Sequence, residues 1–358
     1  MVVFYVLLLV PTVLQHFAVK NTGFDYKKKN QWALAFFFAF LTAIIALRYA
    51  TVGSDTQNYI YYFEKFSELT WDELKEYPLE YGFSLFGKAI TLITEDVQIF
   101  FAVTAVAVSA MIYFTYRRLC TDASLTIVLF CTMSTFLLMF SGVRQMLAIG
   151  IGFVAYELTR RKKLTFFVLV VLLAMSFHTS AFMLAFMYPL YHVKITKNWL
   201  FFIVPLLAVI FVFNQPIFSF LSAILERYTE YEGGISATGA YTMLILFIAF
   251  AVFCFLIPEE KRLDKETVGL RNFLLLAVAI QMFAPLHFWA MRMNYYYIIF
   301  IPLLIPKIIA CSNEMWSRVA VWGRHIMLVF FLAYFFFNAY LGDNLEVFPY
   351  RFFWETYK

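Results

Sequence analysis

The sequence predicts an all-α, polytopic membrane protein, and its composition and the spacing of its apolar runs carry that prediction. Of the 358 residues, 63% are hydrophobic and only 14% are charged, with a mean hydropathy of +0.76. Ordinary soluble domains are about 45–50% apolar and about 25% charged. The apolar residues are gathered into runs close to the roughly 20 residues that a helix needs to cross a bilayer. Short basic clusters separate these runs.

About twelve apolar segments are candidates for spanning helices, and a count between eleven and fourteen fits the same pattern. In chain order they lie near 1–18, 31–47, 97–116, 123–140, 143–159, 164–178, 179–193, 199–213, 241–257, 272–287, 293–309 and 326–341. We therefore expect a single integral membrane domain over 1–358. Its largest outer loop insertions are predicted at 48–96 and 214–240.

The distribution of basic residues predicts the orientation, because Lys and Arg accumulate in cytoplasmic loops. With the N-terminus outside, nineteen of the 28 Lys and Arg fall in the predicted cytoplasmic loops. The opposite orientation inverts this asymmetry, so we expect both termini outside. The net charge of +5 is then explained by topology, and no nucleic-acid partner is expected.

A hairpin around a basic tetrad contains the first candidate site residues. Arg144 and Gln145 begin one apolar segment, and the tetrad Arg160–Lys163 ends it. The next segment runs to Phe177 and His178. If both segments cross the bilayer, the tetrad marks a cytoplasmic turn, and Arg144 and His178 lie together at the outer face.

The longest outer segment, 48–96, opens with RYATVGSDTQNY and is expected to hold amphipathic helices. Ser54 is a good helix N-cap after Gly53. A helix that starts there puts Asp55 and Tyr59 one turn apart on one face. The run 83–93 has the pattern of a helix lying in the membrane interface. Four acids look like a solvated face: Glu64, Glu68, Asp72 and Glu73.

Two further outer segments carry polar and aromatic residues. The insertion 214–240 contains Arg227-Tyr228 and the run Glu230–Glu232. A shorter segment contains His287 and Arg292 and continues into three tyrosines, the second of which is Tyr296.

Each candidate residue has a structural interpretation beside the functional one. Arg48, Arg144 and Arg292 lie where outer loops meet spans, and each could simply extend to the interface. Together they would suit a pyrophosphate, because Arg binds phosphate through two parallel hydrogen bonds. His178 could be a hydrogen-bonded residue at a helix end, or a base for a sugar hydroxyl. Asp55 could be the base instead, or could stabilise a helix N-terminus.

Several familiar catalytic patterns are missing from the sequence. It has no Gly-rich phosphate loop, nucleophile elbow or His-Glu-x-x-His motif. Glu230-Tyr231-Glu232 is the nearest approach to a pair of acids separated by one residue. No Cys/His spacing is typical of a zinc site, and no cysteine falls in a predicted outer loop. The sequence therefore predicts neither a metal nor a cofactor, and it disfavours a metal-dependent sugar-nucleotide transferase.

Four motifs together resemble the EpsG family of Wzy-like bacterial polysaccharide polymerases. They are RYATVGSDTQNY (48–59), GVRQMLA (142–148), FHTSA (177–181) and the segment from Arg292 to Tyr296. The resemblance implies a multi-pass enzyme of the bacterial cytoplasmic (inner) membrane whose active site faces outward. Such an enzyme joins oligosaccharide repeats carried on undecaprenyl diphosphate, which serve as both donor and acceptor in exopolysaccharide, capsule or O-antigen synthesis.

The resemblance also implies roles for the matched positions. Arg144 and Arg292 would bind the diphosphate with support from Arg48, and His178 or Asp55 would be the base. The remaining matches, Tyr59, Gln145 and Tyr296, would position sugars or phosphate oxygens. Membrane lipid, a chain-length regulator and a flippase are the other candidate partners.

Two other classes remain open at this point. One is a different polyprenyl-linked glycosyltransferase or a glycan ligase, which would use a similar outer-face phosphate site. The other is a flippase or exporter of lipid-linked glycans, which needs polar groups near the bilayer midplane and access from both faces. The unusual polar residues here gather on one predicted face, which favours the polymerase.

Overall fold

The computed structural model describes residues 2–21, 26–225, 237–341 and 345–355, and helices dominate it. The α-helices are α1 (Val2–Asn21), α2 (Tyr26–Ala46), α3 (Thr56–Glu68), α4 (Trp71–Glu76), α5 (Tyr81–Thr91), α6 (Val97–Leu119), α7 (Ala123–Thr132), α8 (Ser134–Ser141), α9 (Val143–Arg160), α10 (Leu164–Phe177), α11 (Met187–His192), α12 (Leu200–Val212), α13 (Asn214–Leu225), α14 (Ala237–Leu256), α15 (Lys265–Gln281), α16 (Phe288–Ile298), α17 (Ile301–Ala310) and α18 (Ser317–Leu341). Short 3-10 helices cover Thr179–Phe186, Lys197–Trp199 and Glu260–Arg262. Within the described ranges, β pairing is limited to two isolated bridges. The all-α prediction is confirmed for this part of the chain.

The length and composition of the helices support a membrane protein. In the described ranges, four helical segments are long and apolar enough to cross a bilayer: Lys27–Ala46, Val97–Leu119, Gly239–Leu256 and Ser317–Asn338. Three bent helix pairs bring this number to seven if each pair is one span: α7 with α8, α12 with α13, and α16 with α17. The larger count of about twelve and the outer location of both termini remain predictions.

The chain forms two compact units, and a single membrane domain over its whole length stays a prediction. The first unit comprises residues 1–185 and 323–358, and the second comprises residues 186–322. Helices α1 to α10 and most of α18 belong to the first unit. Helices α11 to α17 belong to the second.

Aromatic rings fill much of the core of the first unit. The Phe130 ring on α7 contacts the rings of Phe37, Phe38 and Tyr116, with centroids 5.7–5.8 Å apart. All four side chains are at most 3% exposed. Edge-to-face aromatic pairs contribute about 0.5–1.5 kcal/mol each beyond their buried area. Some of the many Phe residues in this chain therefore hold α2, α6 and α7 together.

The outer segment 48–96 folds into three short helices, α3 to α5, as its amphipathic pattern predicts. Helix α3 buries Tyr59, Phe63 and Phe66, and α5 buries Phe83 and other residues on one side. The Phe83 ring lies 5.9 Å from both Tyr59 and Phe66, measured between centroids. The four predicted solvated acids, Glu64, Glu68, Asp72 and Glu73, are all exposed.

The start of α3 differs by one residue from the prediction. Asp55, and not Ser54, holds the N-cap position, and its side chain makes no capping hydrogen bond. Ser54 lies before the helix, and its N–H donates to the Leu345 carbonyl at 2.9 Å. Gly53 precedes it with φ +95°, a conformation that favours glycine.

Residues 345–355 pair with the beginning of the outer segment. The Tyr49 N–H donates to the Arg351 carbonyl, and the Phe353 N–H donates to the Leu47 carbonyl, both at 2.9 Å. The Tyr350 hydroxyl donates to the Ile44 carbonyl at 2.7 Å. The end of the chain therefore fixes the backbone on both sides of Arg48.

The second predicted insertion, 214–240, is less of a loop than expected. Helix α13 begins at Asn214 and α14 begins at Ala237. After its first three residues α13 is mostly apolar, so the sequence at the start of this insertion continues an apolar helical segment and not a polar loop. The predicted polar residues Arg227-Tyr228 and Glu230–Glu232 lie outside the described residues.

Candidate active site

Helices α9 and α10 form the predicted hairpin. They pack against each other, and residues 161–163 join the end of α9 to the start of α10. Arg144 is the second residue of α9, and His178 directly follows the last residue of α10. The two residues therefore lie at the same end of the hairpin, as the basic tetrad predicts.

Glu80 joins the two predicted residues. Its Oε2 atom lies 2.5 Å from Nη1 of Arg144, and its Oε1 atom lies 3.4 Å from Nδ1 of His178. The N–H and hydroxyl of Thr179 donate to Oε1 at 3.1 and 3.3 Å. One carboxylate thus contacts an arginine, a histidine and the backbone that follows α10.

The three side chains differ in their access to solvent. The Arg144 side chain is 24% exposed, that of Glu80 17% and that of His178 8%. An arginine has five N–H donors, and Glu80 uses one Nη of this guanidinium. The part of Arg144 that stays exposed is where an anionic ligand could approach the cluster.

The charges around Glu80 keep it ionised. Burial alone would raise the pKa of the Glu80 carboxyl. The His178 ring and the Arg144 guanidinium outweigh burial and hold this pKa well below its ordinary value. With Glu80 negative and Arg144 positive, the pair is neutral. A diphosphate bound here would therefore need a further cation or the release of Glu80.

The backbone of Glu80 is brought to the hairpin by a close helix contact. Glu80 is the N-cap residue of α5, and Gly82 follows two residues later. A Cβ atom at position 82 would lie 2.2 Å from Oγ of Ser176 and 2.7 Å from its carbonyl oxygen. Only a glycine allows α5 to approach the last turn of α10 so closely.

Tyr59 and Asp55 approach the same cluster from α3. The Tyr59 hydroxyl accepts the Arg144 N–H at 3.3 Å, and this contact caps the first turn of α9, whose N-cap is a glycine. The Tyr59 N–H donates to the Asp55 carbonyl at 3.1 Å, so the two residues are one turn apart, as predicted. The Asp55 side chain is partly exposed. Its role as the alternative base stays a prediction.

Gln145 neighbours Arg144 but has little access to solvent. It is 2% exposed and faces the interior of the unit. Contact between Gln145 and a substrate would need a local movement of the outer helices.

Arg48 is buried in the fold. It is 1% exposed, its Nη1 donates to the Ile45 carbonyl at 2.9 Å, and its guanidinium lies 4.0 Å above the Phe101 ring. Its Nε donates to the Thr56 hydroxyl at 3.4 Å. The adjacent cavity of about 10 Å³ is at most the size of one water. In this conformation Arg48 supports α2, α3 and α6, and its predicted contact with a diphosphate stays a prediction.

The last two predicted residues belong to the second unit. Arg292 lies on α16, with its guanidinium 5.2 Å from the centre of the Phe288 ring. Tyr296, on the same helix, is 1% exposed. His287 caps this helix, because its Nδ1 accepts the Trp289 N–H at 3.2 Å. Membership of Arg292 and Tyr296 in the same site as Arg144 remains a hypothesis.

Glu80 is the residue that sequence reasoning missed. One signal was present, because no Lys or Arg lies within four residues of Glu80, unlike most acids of the outer segment. Asp55, Glu95 and Asp96 share this property, so the signal does not single out Glu80. Its partners lie 64 and 99 positions away in the chain, beyond the reach of any local pattern.

The comparisons with known proteins agree with the four motifs. The model of the EpsG family matches residues 31–352, nearly the whole chain. No curated protein and no solved structure is similar enough to match. The matched range includes the hairpin, Glu80, Arg48 and Arg292. This chain therefore belongs to the EpsG family, a family of the Wzy-like polysaccharide polymerase type.

Proposed function

We propose that the protein is a glycosyltransferase that polymerises oligosaccharide repeat units carried on undecaprenyl diphosphate. The product is an exopolysaccharide, a capsule or an O-antigen. The observation that carries this proposal is the cluster in which one carboxylate holds Arg144 and His178 at one end of a hairpin. It supplies a cation for a leaving diphosphate and a base for a hydroxyl. Membership of the EpsG family supports the same chemistry.

The reaction needs two groups from the protein. The acceptor hydroxyl oxygen forms a new bond to the anomeric carbon of the donor sugar. The bond from that carbon to the diphosphate oxygen breaks, and the electron pair leaves with the lipid diphosphate. The hydroxyl proton passes to His178, or to Asp55 as the second candidate. Arg144 stabilises the charge that develops on the departing diphosphate.

The other predicted residues fill the remaining roles. Arg292 is proposed as the second cation for the diphosphate, with support from Arg48, because the Arg144–Glu80 pair is neutral. Tyr59, Gln145 and Tyr296 position sugars or phosphate oxygens. No metal or cofactor is part of the proposal.

The proposed location is the outer face of the bacterial cytoplasmic membrane, with about twelve spans and both termini outside. The basic turn at 161–163 supports the cytoplasmic location of the opposite end of the hairpin. Helix α10, with 14 residues, is about 21 Å long, shorter than a hydrocarbon core of about 30 Å. Helix α9, with 18 residues, is about 27 Å long and nearly matches that thickness, so Arg144 at its outer end would lie near the headgroup level, where the diphosphate of a lipid carrier is found. A flippase that delivers the repeats and a chain-length regulator are the proposed protein partners.

The proposal is tested by Arg144→Lys and, separately, His178→Ala, assayed with purified protein and a lipid-linked repeat. Lysine keeps the charge but loses the planar, two-bond contact with phosphate. We expect kcat to fall by roughly 10²–10³-fold for Arg144→Lys. For His178→Ala we expect a fall of roughly 10²–10⁴-fold. In cells, both variants should accumulate single lipid-linked repeats in place of long polymer.

Arg161→Lys is the matched control, because Arg161 is an exposed arginine of the basic turn at the other end of α9. It should polymerise normally. Normal long-chain polymer from both site variants, at normal protein levels, would overturn the assignment. Transfer from a single-sugar polyprenyl phosphate donor would instead indicate a different lipid-linked glycosyltransferase. Translocation of the glycan across a vesicle without transfer would indicate a flippase.

A further inference from the structure

Glu80 has no role in the reaction as written above, yet it contacts both Arg144 and His178. It is 17% exposed and contacts Arg144, His178 and Thr179 from a third element, α5. A carboxylate at this position must either be released when substrate binds or act through its neighbours. Its low exposure and three partners favour the second possibility.

We propose that Glu80 is the positioning residue of this site, which fixes the orientation and the proton of His178. This inference rests on the proposed function. A neutral imidazole carries one proton, and the nitrogen that carries it is set by the partner of that nitrogen. Oε1 of Glu80 lies 3.4 Å from Nδ1 of His178, and its negative charge favours the tautomer that carries the proton on Nδ1 over the one that turns a lone pair toward the carboxylate. Nε2 then keeps the lone pair that accepts the hydroxyl proton.

The backbone contact explains how the carboxylate itself is held. Oε1 accepts from the N–H of Thr179, the residue that follows His178. The last turn of α10 and the carboxylate therefore move together. Rotation of Glu80 away from His178 would break this backbone contact as well as the contact with Arg144.

The contact with Arg144 gives the carboxylate a second effect. Glu80 competes with an anionic substrate for the same guanidinium, so its negative charge does not favour binding of the diphosphate. Loss of this charge should leave the KM for the donor unchanged or lower. The kcat should fall, because the base is no longer oriented. A residue that only maintained the fold would not produce this split.

The test compares Glu80→Gln and Glu80→Asp with the wild type in two measurements. The first is nitrogen NMR of histidine-labelled protein in lipid, with the His178 signals assigned through a His178→Gln variant. We expect the wild type to carry its proton on Nδ1. We expect Glu80→Gln to shift His178 toward the other tautomer or a mixture of the two, because an amide can either donate or accept here. Glu80→Asp should keep the charge and restore part of the orientation.

The second measurement is transfer between lipid-linked repeats. For Glu80→Gln we expect kcat to fall by about 10–100-fold with no increase in the KM for the donor. Glu76→Gln, at an exposed acid in the same outer segment, is the matched control and should behave as wild type in both measurements.

The two measurements distinguish a failure of the positioning role from a failure of the proposed polymerase function. A His178 tautomer and a kcat that are unchanged in Glu80→Gln would overturn the positioning role, whatever reaction the protein catalyses. A wild-type protein that transfers no repeats, but whose His178 tautomer responds to Glu80→Gln, would overturn the proposed polymerase and leave the positioning role intact. The third outcome is a kcat for Glu80→Gln that falls only as much as the fraction of folded protein falls, with an unchanged His178 tautomer. It would show that Glu80 is only a structural residue and would reject the inference.

Discussion

The charge of Glu80 controls the stability of the outer end of the first unit as well as the proposed chemistry. The groups that face it are Arg144, His178 and Thr179, and Tyr59 reaches the cluster through the Arg144 backbone. Protonation of Glu80 would leave Arg144 without its counter-charge at low exposure. A buried ion pair that loses one charge is strongly destabilised.

The pH dependence of stability follows from the lowered pKa of Glu80. A carboxyl whose pKa is lowered on folding contributes its full stabilisation above its ordinary value of 4.5 and loses it as the pH falls below that value. We expect the wild type to melt at a higher temperature than Glu80→Gln. The part of this difference that comes from the Glu80 charge should be fully present above about pH 4.5 and should narrow as the pH falls below that value. A difference in melting temperature that widens as the pH falls below about 4.5 would contradict an ionised Glu80. Glu76→Gln serves again as the control.

Residues of the site differ in how far the sequence could predict them. Arg144 and His178 could be paired because a basic tetrad fixes the turn between two apolar segments, and the hairpin then follows from geometry. The sequence predicted that Arg48 lies at the junction of a span and a loop, but it did not predict that the side chain is buried. That burial depends on the Phe101 ring and on the chain end that pairs around it. The role of Glu80 in this cluster could not be predicted, because all its partners are distant in the chain.

At the scale of elements, the amphipathic pattern predicted the outer helices well. The apolar runs predicted the membrane-spanning helices less well. The hydrophobic face of α3 and the run that became α5 both have a clear helical period. The predicted span 123–140 is interrupted, because Met133 is extended (φ −79°, ψ 144°) between α7 and α8. An apolar run has no period that could reveal such a break. The predicted span 179–193 begins as a 3-10 helix over Thr179–Phe186, and its apolar pattern does not reveal this either.

The contact of α5 with α10 is the packing feature on which the site depends, and Gly82→Ala tests it. The added methyl group would lie 2.2 Å from Ser176 Oγ, so α5 must move away from α10 and take Glu80 with it. We expect a loss of about 1–3 kcal/mol in stability and a loss of transfer activity. Thermal unfolding and the transfer assay measure the two effects.

A double variant sharpens this test. Gly82→Ala with Ser176→Gly removes the Oγ and Cβ of Ser176 but keeps its carbonyl oxygen, which lies 2.7 Å from the added atom. Partial recovery of stability and activity is therefore expected. Gly82→Ala alone with wild-type activity would show that Glu80 does not depend on this helix contact.

At the scale of the whole molecule, the first unit has polar clusters of two kinds. The cluster of Glu80, Arg144 and His178 is predicted outside. A second network joins α1, α2, the start of α7 and α18, and it is predicted inside. In it, Gln15 donates to Asn30 at 2.8 Å, the Ala123 N–H donates to Asn30 at 3.0 Å, and Arg324 pairs with Asp122. The two clusters are alike in exposure, because the Arg144 side chain is 24% exposed and the Arg324 side chain is 27% exposed. What distinguishes the first cluster is its histidine, the most common general acid and base in enzymes, and this favours it as the site of chemistry.

The orientation that puts this cluster outside can be tested directly with single cysteines. Ser67 is an exposed residue near the end of α3, and Lys163 is an exposed residue of the basic turn between α9 and α10. Three of the four native cysteines are buried and Cys311 is partly exposed, so Cys311→Ser provides a suitable background. With a membrane-impermeant maleimide, Ser67→Cys should be labelled in intact cells. Lys163→Cys should be labelled only after permeabilisation, because Lys and Arg mark the cytoplasmic side. The reverse pattern would put Glu80, Arg144 and His178 on the cytoplasmic side, where a polymerase of outward-facing lipid-linked repeats could not use them.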